Sequence, residues 1–181
     1  MIFQPKEITL KNGKTAVFKS PEVEDAEQLL NYIKTASGET DFLTRYPEEW
    51  TTTVEQEAKW IQNSRDDENL FTFASYIDGK VVGNCEIRFN KGIKTSHRGL
   101  VGIAILKEYW NLGIGSAMFE ELIKASKERG ILIMELEFIE GNDRARHLYE
   151  KFGFKIVAEK PSAFRLKDGT MKKEFYMQKY L

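Results

Sequence analysis

The sequence predicts an α+β fold with a mixed, mostly antiparallel sheet and flanking helices, and three observations carry this. Two strand-like runs, residues 71–77 and 81–89, are joined by Asp78-Gly79, the dipeptide of a tight antiparallel hairpin. A strand at residues 100–106, a helical stretch running on from Ile114 and a strand at 131–138 form a crossover unit, which makes that one strand pair parallel. The intervening apolar residues recur at helical spacing, as in Ile114, Ala117, Met118, Leu122 and Ala125, with Gly130 as the stop.

The remaining elements follow in order. Residues 15–18 read as a strand after the turn Asn12-Gly13. Ser20-Pro21-Glu22 opens a helix with Ser20 as N-cap and Pro21 at its first position, and Val23, Ala26, Leu29, Leu30 and Ile33 form its core face. Residues 36–52 hold Gly38, Pro47 and no steady period, so they read as a long connection. Its Phe42, Leu43, Tyr46 and Trp50 argue against disorder and leave two readings, aromatic staples under a loop or a substrate-facing wall. A second helix runs from Thr53 to about Ser64 through Val54, Ala58, Trp60 and Ile61. Asn142 is placed to cap a short helix whose core face is Ala145, Leu148, Tyr149 and Phe152, with Gly153 as its end. Strands near 154–157 and 174–177 close the chain. No repeat, low-complexity stretch or linker interrupts the series, so one domain over residues 1–181 is expected.

Composition removes several function classes. Hydrophobic residues at 41% against 30% charged describe a globular chain rather than a disordered one. The apolar runs are too short to span a bilayer, and residues 1–7 lack the basic and apolar segments of a signal peptide. Lys and Arg total 27 against 28 for Asp and Glu, so the net charge of −1 supplies no general attraction to nucleic acid or an anionic membrane. A lone Cys85 excludes an internal disulfide, and with His97 and His147 as the only histidines a Cys/His zinc site lacks ligands. The expectation is a cytoplasmic protein without metal, membrane or nucleic-acid partner.

The feature closest to chemistry is Gly113-Ile114-Gly115, which opens a helix after the strand ending in Ile103-Ala104-Ile105. Small residues at a strand-to-helix turn let free amides and the positive helix end converge on an anion such as a pyrophosphate. A dinucleotide fingerprint would need a small residue where Met118 stands, and no Gly-x-x-x-x-Gly-Lys-Ser/Thr run occurs, so neither nucleotide motif fits.

The order of elements and two motifs resemble the GNAT superfamily of acyl-CoA-dependent N-acetyltransferases. The family's Gln/Arg-x-x-Gly-x-Gly/Ala signature falls on Trp110-Asn111-Leu112-Gly113-Ile114-Gly115, with Trp110 in the place of Gln or Arg. Its Asn-x-x-Ala-x-x-Leu-Tyr-x-x-x-Gly-Phe pattern falls on residues 142–154. The Trp variant is similar to the branch containing ribosomal-protein-alanine and amino-acid acetyltransferases.

This resemblance implies a splayed central pair of parallel strands and acetyl-CoA as co-substrate. It implies that the amides of Leu112, Gly113, Ile114, Gly115 and Ser116, with Trp110 and Asn111 in the same turn, hold the pyrophosphate. The edge of Ile103, Ala104 and Ile105 would bind the pantetheine arm, with Asn142, Ala145 and Tyr149 beside it, and Gly102 is a plausible bulge to start the splay. Tyr149 is then the general acid toward the CoA thiolate; a phenol near pKa 10 protonates a thiolate near 8.5 downhill only if its surroundings lower its own value. Acceptor contacts are expected from Glu39, Thr40 and Phe42 and from the segment near Phe164 and Arg165, and a homodimer is a further expectation.

The general base is where this chain departs from the family. The glutamate found in many members six residues before the position of Ile105 is Gly99 here. His97, Glu86 and Glu137 remain as candidates. Deprotonating a lysine side chain at pH 7 costs about 4–5 kcal/mol, but an α-amine costs only about 1 kcal/mol, so a weak base favours a small amine, an amino acid or a protein N-terminus as acceptor. The alternative is a CoA-binding sensor that has lost turnover.

Overall fold

The computed structural model describes residues 1–181. It contains strands β1 (Lys6–Thr9), β2 (Thr15–Lys19), β3 (Leu70–Ile77), β4 (Lys80–Phe89), β5 (Arg98–Ile105), β6 (Ile133–Ile139), β7 (Lys155–Arg165) and β8 (Met171–Tyr180). The helices are α1 (Ala26–Glu39), α2 (Val54–Asp66), α3 (Ile114–Glu128) and α4 (Asp143–Lys151). The strands form a single sheet of order β1-β2-β3-β4-β5-β6-β8-β7, antiparallel throughout except for β5 and β6. The α+β reading and its one parallel crossover therefore hold, and no helix is long and apolar enough to cross a membrane.

Two apolar clusters sandwich the sheet. On one face α3 and α4 pack Met118, Phe119, Leu122 and Tyr149 against Phe18, Phe73, Ile87 and Met134. On the other, α1 and α2 pack Leu29, Tyr32 and Ile61 against Ala74, Tyr76 and Val81. Every residue of β3 is buried because both its faces are covered, which is why that run reads as continuously apolar rather than alternating. Phe119 holds α3 to α4, with its ring 5.6 Å from Tyr149, 5.3 Å from Phe152 and 5.7 Å from Phe154. Truncating such a buried ring costs about 3–5 kcal/mol, so α4 and the tyrosine it carries are rigidly placed.

Four local expectations need correction. Ser20 does not cap a helix; its hydroxyl accepts from Phe3 N–H (2.8 Å) and donates to Thr72 O (3.1 Å), tying the N-terminal segment to β3. The chain instead makes a short turn at Val23–Asp25, and α1 begins at Ala26. That helix continues to Glu39, so the long connection is shorter than expected; Ala36 and Ser37 extend the buried stripe past Ile33. β1 went unread because its Lys6 and Glu7 obscure the alternation, and β7 is far longer than residues 154–157 because exposed polar residues fill an edge strand. Gly102 carries no bulge: β5 keeps an unbroken register with β4 from Gly99 opposite Phe89 to Ile105 opposite Gly83.

The feature that positions the site is where β5 leaves β6. Their parallel pairing covers only Arg98, Gly99 and Leu100, opposite Ile133, Met134 and Glu135. Beyond Leu100 the strands diverge, β5 following β4 and β6 following β8. Sheet twist and the differing demands of the two antiparallel partners open the wedge without an inserted residue.

Candidate active site

The wedge opens into a cleft of about 1350 Å³, lined by β4, β5, the turn before α3, α4, α1, α2 and the connection between the last two. Its backbone chemistry follows from register. Leu106 N–H donates to Val82 O (2.9 Å) and Asn90 N–H to Arg98 O (3.1 Å), so the even-numbered residues of β5 turn their peptide groups toward β4. The odd-numbered ones face the opposite way; His97 O, for example, accepts from Leu132 and Ile133 N–H on the β6 side. Ile103 and Ile105 therefore present their peptide groups to the open wedge, beyond the last β5–β6 pair. Ala104 does not: its carbonyl accepts from the Tyr32 hydroxyl (2.7 Å), whose oxygen also lies 2.9 Å from Asn84 Oδ1, so that Tyr32 fastens α1 to β4 and β5.

At the mouth of the wedge the turn before α3 is shaped for an anion. Asn111 (φ 63°) and Gly113 (φ 99°) both adopt left-handed backbone, and Gly113 caps α3 without any side-chain acceptor. The first helical bond is Ala117 N–H to Gly113 O (3.0 Å), which leaves the amides of Ile114, Gly115 and Ser116 without helical partners. No acidic residue sits in that first turn. Lys11, Arg144, His147 and Lys151 line the same end of the cleft, and Lys151 Nζ donates to Ser116 Oγ (3.1 Å). The positive helix end, three free amides and the charges of Lys11, Arg144 and Lys151 add in one sense.

Trp110 has a definite structural task. Its indole N–H donates to Ile105 O (2.7 Å), satisfying the last outward carbonyl of β5. The Arg144 guanidinium stacks 4.4 Å from the indole and donates to Asn111 Oδ1 (2.6 Å), linking α4 to the turn. Asn142 caps α4 as expected, accepting from Ala145 N–H (3.3 Å).

Tyr149 lies on α4, buried but lining the cleft. Burial raises its phenol, the opposite of the lowering that downhill proton transfer requires, so it stays protonated across the working pH range.

Glu86 and Glu137 both line the cleft, from β4 and β6. Burial raises the Glu86 carboxyl above the ordinary glutamate value, against a smaller lowering by Arg88. Glu137 is raised first by burial and then by Glu174 and Glu135. His97 lies elsewhere, just before β5, in a separate depression with Asn69, Lys91 and Arg129. Of the expected acceptor residues, Glu39, Thr40 and Phe42 line the cleft, whereas Phe164 and Arg165 do not. Glu39 is also engaged structurally, accepting from Lys107 N–H (2.7 Å). Sequence reasoning missed Tyr32 and Glu57. Glu57 could have been found as the charged residue one turn before Ile61 on the inward stripe of α2.

Comparison with known proteins agrees with this geometry. Residues 36–154 match the acetyltransferase (GNAT) family, and the chain belongs to it. It is 29% identical over 160 residues to an N-alpha-acetyltransferase of Sulfurisphaera tokodaii, covering 81% of this chain and 84% of that protein. A GNAT-family acetyltransferase from Streptococcus pneumoniae superposes with a TM-score of 0.85 at 28% identity, over 92% of this chain and 99% of that one. A Salmonella typhimurium structure solved with its cofactor acetyl-CoA shares the fold at a TM-score of 0.78 and 16% identity, over 92% of this chain and 94% of that one. The protein is thus an N-acetyltransferase of the GNAT family.

The absent glutamate has a steric reason. A Cβ on Gly99 would lie 2.7 Å from Ile87 Cδ1 and 2.9 Å from Ile87 Cγ1, so any side chain there requires the buried Ile87 to shift. Gly99→Ala is expected to cost about 1–3 kcal/mol in chemical denaturation. Combining it with Ile87→Val, which removes the nearest clashing carbon, should recover part of that loss as a measurable coupling in a double-mutant cycle.

Proposed function

We propose that residues 1–181 work as one acyl-transfer unit that moves an acetyl group from acetyl-CoA to an α-amine, of a protein N-terminus or a free amino acid, by direct attack. The observation that carries the reading is the open edge of β5 leading to the uncapped α3 N-terminus: one strip of unpaired peptide groups ending in an anion cradle. These residues fit acetyl-CoA. The peptide group of Ile103 and the N–H of Ile105, whose carbonyl Trp110 already holds, would pair with the pantetheine amides, and the amides from Leu112 to Ser116 would hold the diphosphate, with Arg144 and Lys151 as counter-charges. Bound there, acetyl-CoA supplies an activated thioester carbonyl.

The chain's own groups then divide the proton work. Glu86 stands on the floor of the acceptor half, beside Gly102, where a Cβ would lie 3.5 Å from Glu86 Cγ. The missing side chain at Gly102 keeps space open over that carboxylate, which takes the proton from the incoming ammonium. An outward amide of β5 steadies the developing charge on the carbonyl oxygen. As the tetrahedral intermediate collapses the C–S bond breaks and the nitrogen's second proton passes to the departing sulfur, which leaves as CoA thiol, while Tyr149 donates a hydroxyl hydrogen bond to that sulfur and keeps its own proton. The α-amine preference rests on the proton cost and on the similarity to an N-alpha-acetyltransferase. A buried thiol that needs no oxidised partner suits a cytoplasmic setting.

Transfer rates across N-terminal peptides, amino acids, polyamines and aminoglycosides test the acceptor class. α-Amines should lead, and lysine ε-amines outpacing all of them would defeat the reading. Glu86 works only when ionised, so kcat/KM should fall as the pH drops through its raised value, above the ordinary glutamate range. Glu86→Gln should lower turnover about 10²-fold or more and abolish that acidic limb. Tyr149→Phe should reduce kcat while the acetyl-CoA Kd, read by calorimetry, stays within about twofold; unchanged kcat would remove Tyr149 from the reaction.

A further inference from the structure

The geometry points to Glu57 as a specificity-determining residue that selects acceptors carrying, besides the amine to be acetylated, a second positive charge of guanidinium or ammonium type. The inference rests on the acceptor reading of the cleft given above.

Glu57 lies on the wrong side of its helix for a free carboxylate. α2 turns Ile61, fully buried, and Ser64, 4% exposed, toward the sheet, and Glu57 occupies the same stripe one turn earlier. A charged residue on an inward stripe without a partner breaks the local pattern, and such breaks mark functional sites. No ion pair of the protein includes Glu57. Two cations on the same cleft are engaged elsewhere: Arg88 faces Asp67 at 3.8 Å and Arg45 lies 4.9 Å from the Trp50 ring. Burial pushes the Glu57 carboxyl above the ordinary glutamate value, and nothing in the free protein offsets it.

The surrounding walls independently favour a cation. Tyr32, Phe42, Trp50 and Trp60 line the same cleft, and Trp60 keeps 38% of its surface exposed. Aromatic faces attract ammonium and guanidinium groups, and an anionic acceptor group would meet both Glu57 and Glu86. The two carboxylates reach the cleft from different walls, Glu86 from β4 and Glu57 from α2. Glu86 receives the reacting amine and Glu57 the second cation.

L-Arginine amide and L-citrulline amide provide the test, since each has one nucleophilic α-amine and they differ mainly in side-chain charge. With CoA saturating the protein, calorimetry should find arginine amide bound about tenfold or more tighter. Glu57→Gln should bring the two affinities together while leaving citrulline amide unchanged. Because the carboxylate is unpaired in the free protein, Tm of the variant should hold or rise, whereas a merely structural role predicts a fall. Equal affinities in the unaltered protein, no binding of either compound, or a preference that survives Glu57→Gln would overturn the inference. A binding preference without acetyl transfer would instead defeat the acceptor reading and leave the role of Glu57 standing.

Discussion

The structure depends on one unfinished hydrogen-bond ladder. A buried peptide group without a partner costs about as much as a lost hydrogen bond, so strands inside a sheet normally pair along their whole length. β5 and β6 pair over three residues and then part. The divergence is sustained because each strand is held on its other side, β5 by seven register positions on β4 and β6 by seven on β8. The outward carbonyl of Ile105 is satisfied by the Trp110 indole, so the exposed edge is concentrated on a short stretch. A sheet interior has become an open edge without surrendering the packing on either face.

That edge and the α3 N-terminus belong to the same problem. β5 runs into the turn whose left-handed Asn111 and Gly113 aim three amides at one point, so strand and helix end deliver free donors in line. The turn is braced from several sides: by Lys11 N–H donating to Leu112 O (3.0 Å), by Arg144 on Asn111, and by close packing at Gly115, where a Cβ would lie 2.9 Å from Leu148 Cδ2. Donors held in place before the ligand arrives need little reorganisation when it binds.

The two faces of the sheet divide the labour. The α3/α4 face holds the larger, aromatic core and supports the turn and Tyr149. The α1/α2 face has a smaller cluster, and beside it polar residues remain on the floor and wall of the cleft: Asn84, Glu86, Arg88 and Glu57. Carboxylates left raised by burial and unpaired lower the stability of the free protein, a cost tolerated where a ligand of opposite charge completes the set.

The sequence by itself determined the local pieces: the hairpin at Asp78-Gly79, the crossover unit, the cap at Asn142, the glycine turn before α3, and through the two motifs the family. These depend on residues close along the chain, where spacing and turn chemistry leave few alternatives. Tertiary structure decided what depends on distant partners. The wedge arises from two strands held by different neighbours and not from the expected bulge at Gly102; a side chain at Gly99 would press on Ile87; and His97, just before β5, falls outside the cleft. Glu57, some thirty residues from Glu86 in the chain, joins the same cleft only when α2 docks on the sheet. Charge and burial at such positions are set by what the fold brings alongside, and no spacing rule within one segment contains that information.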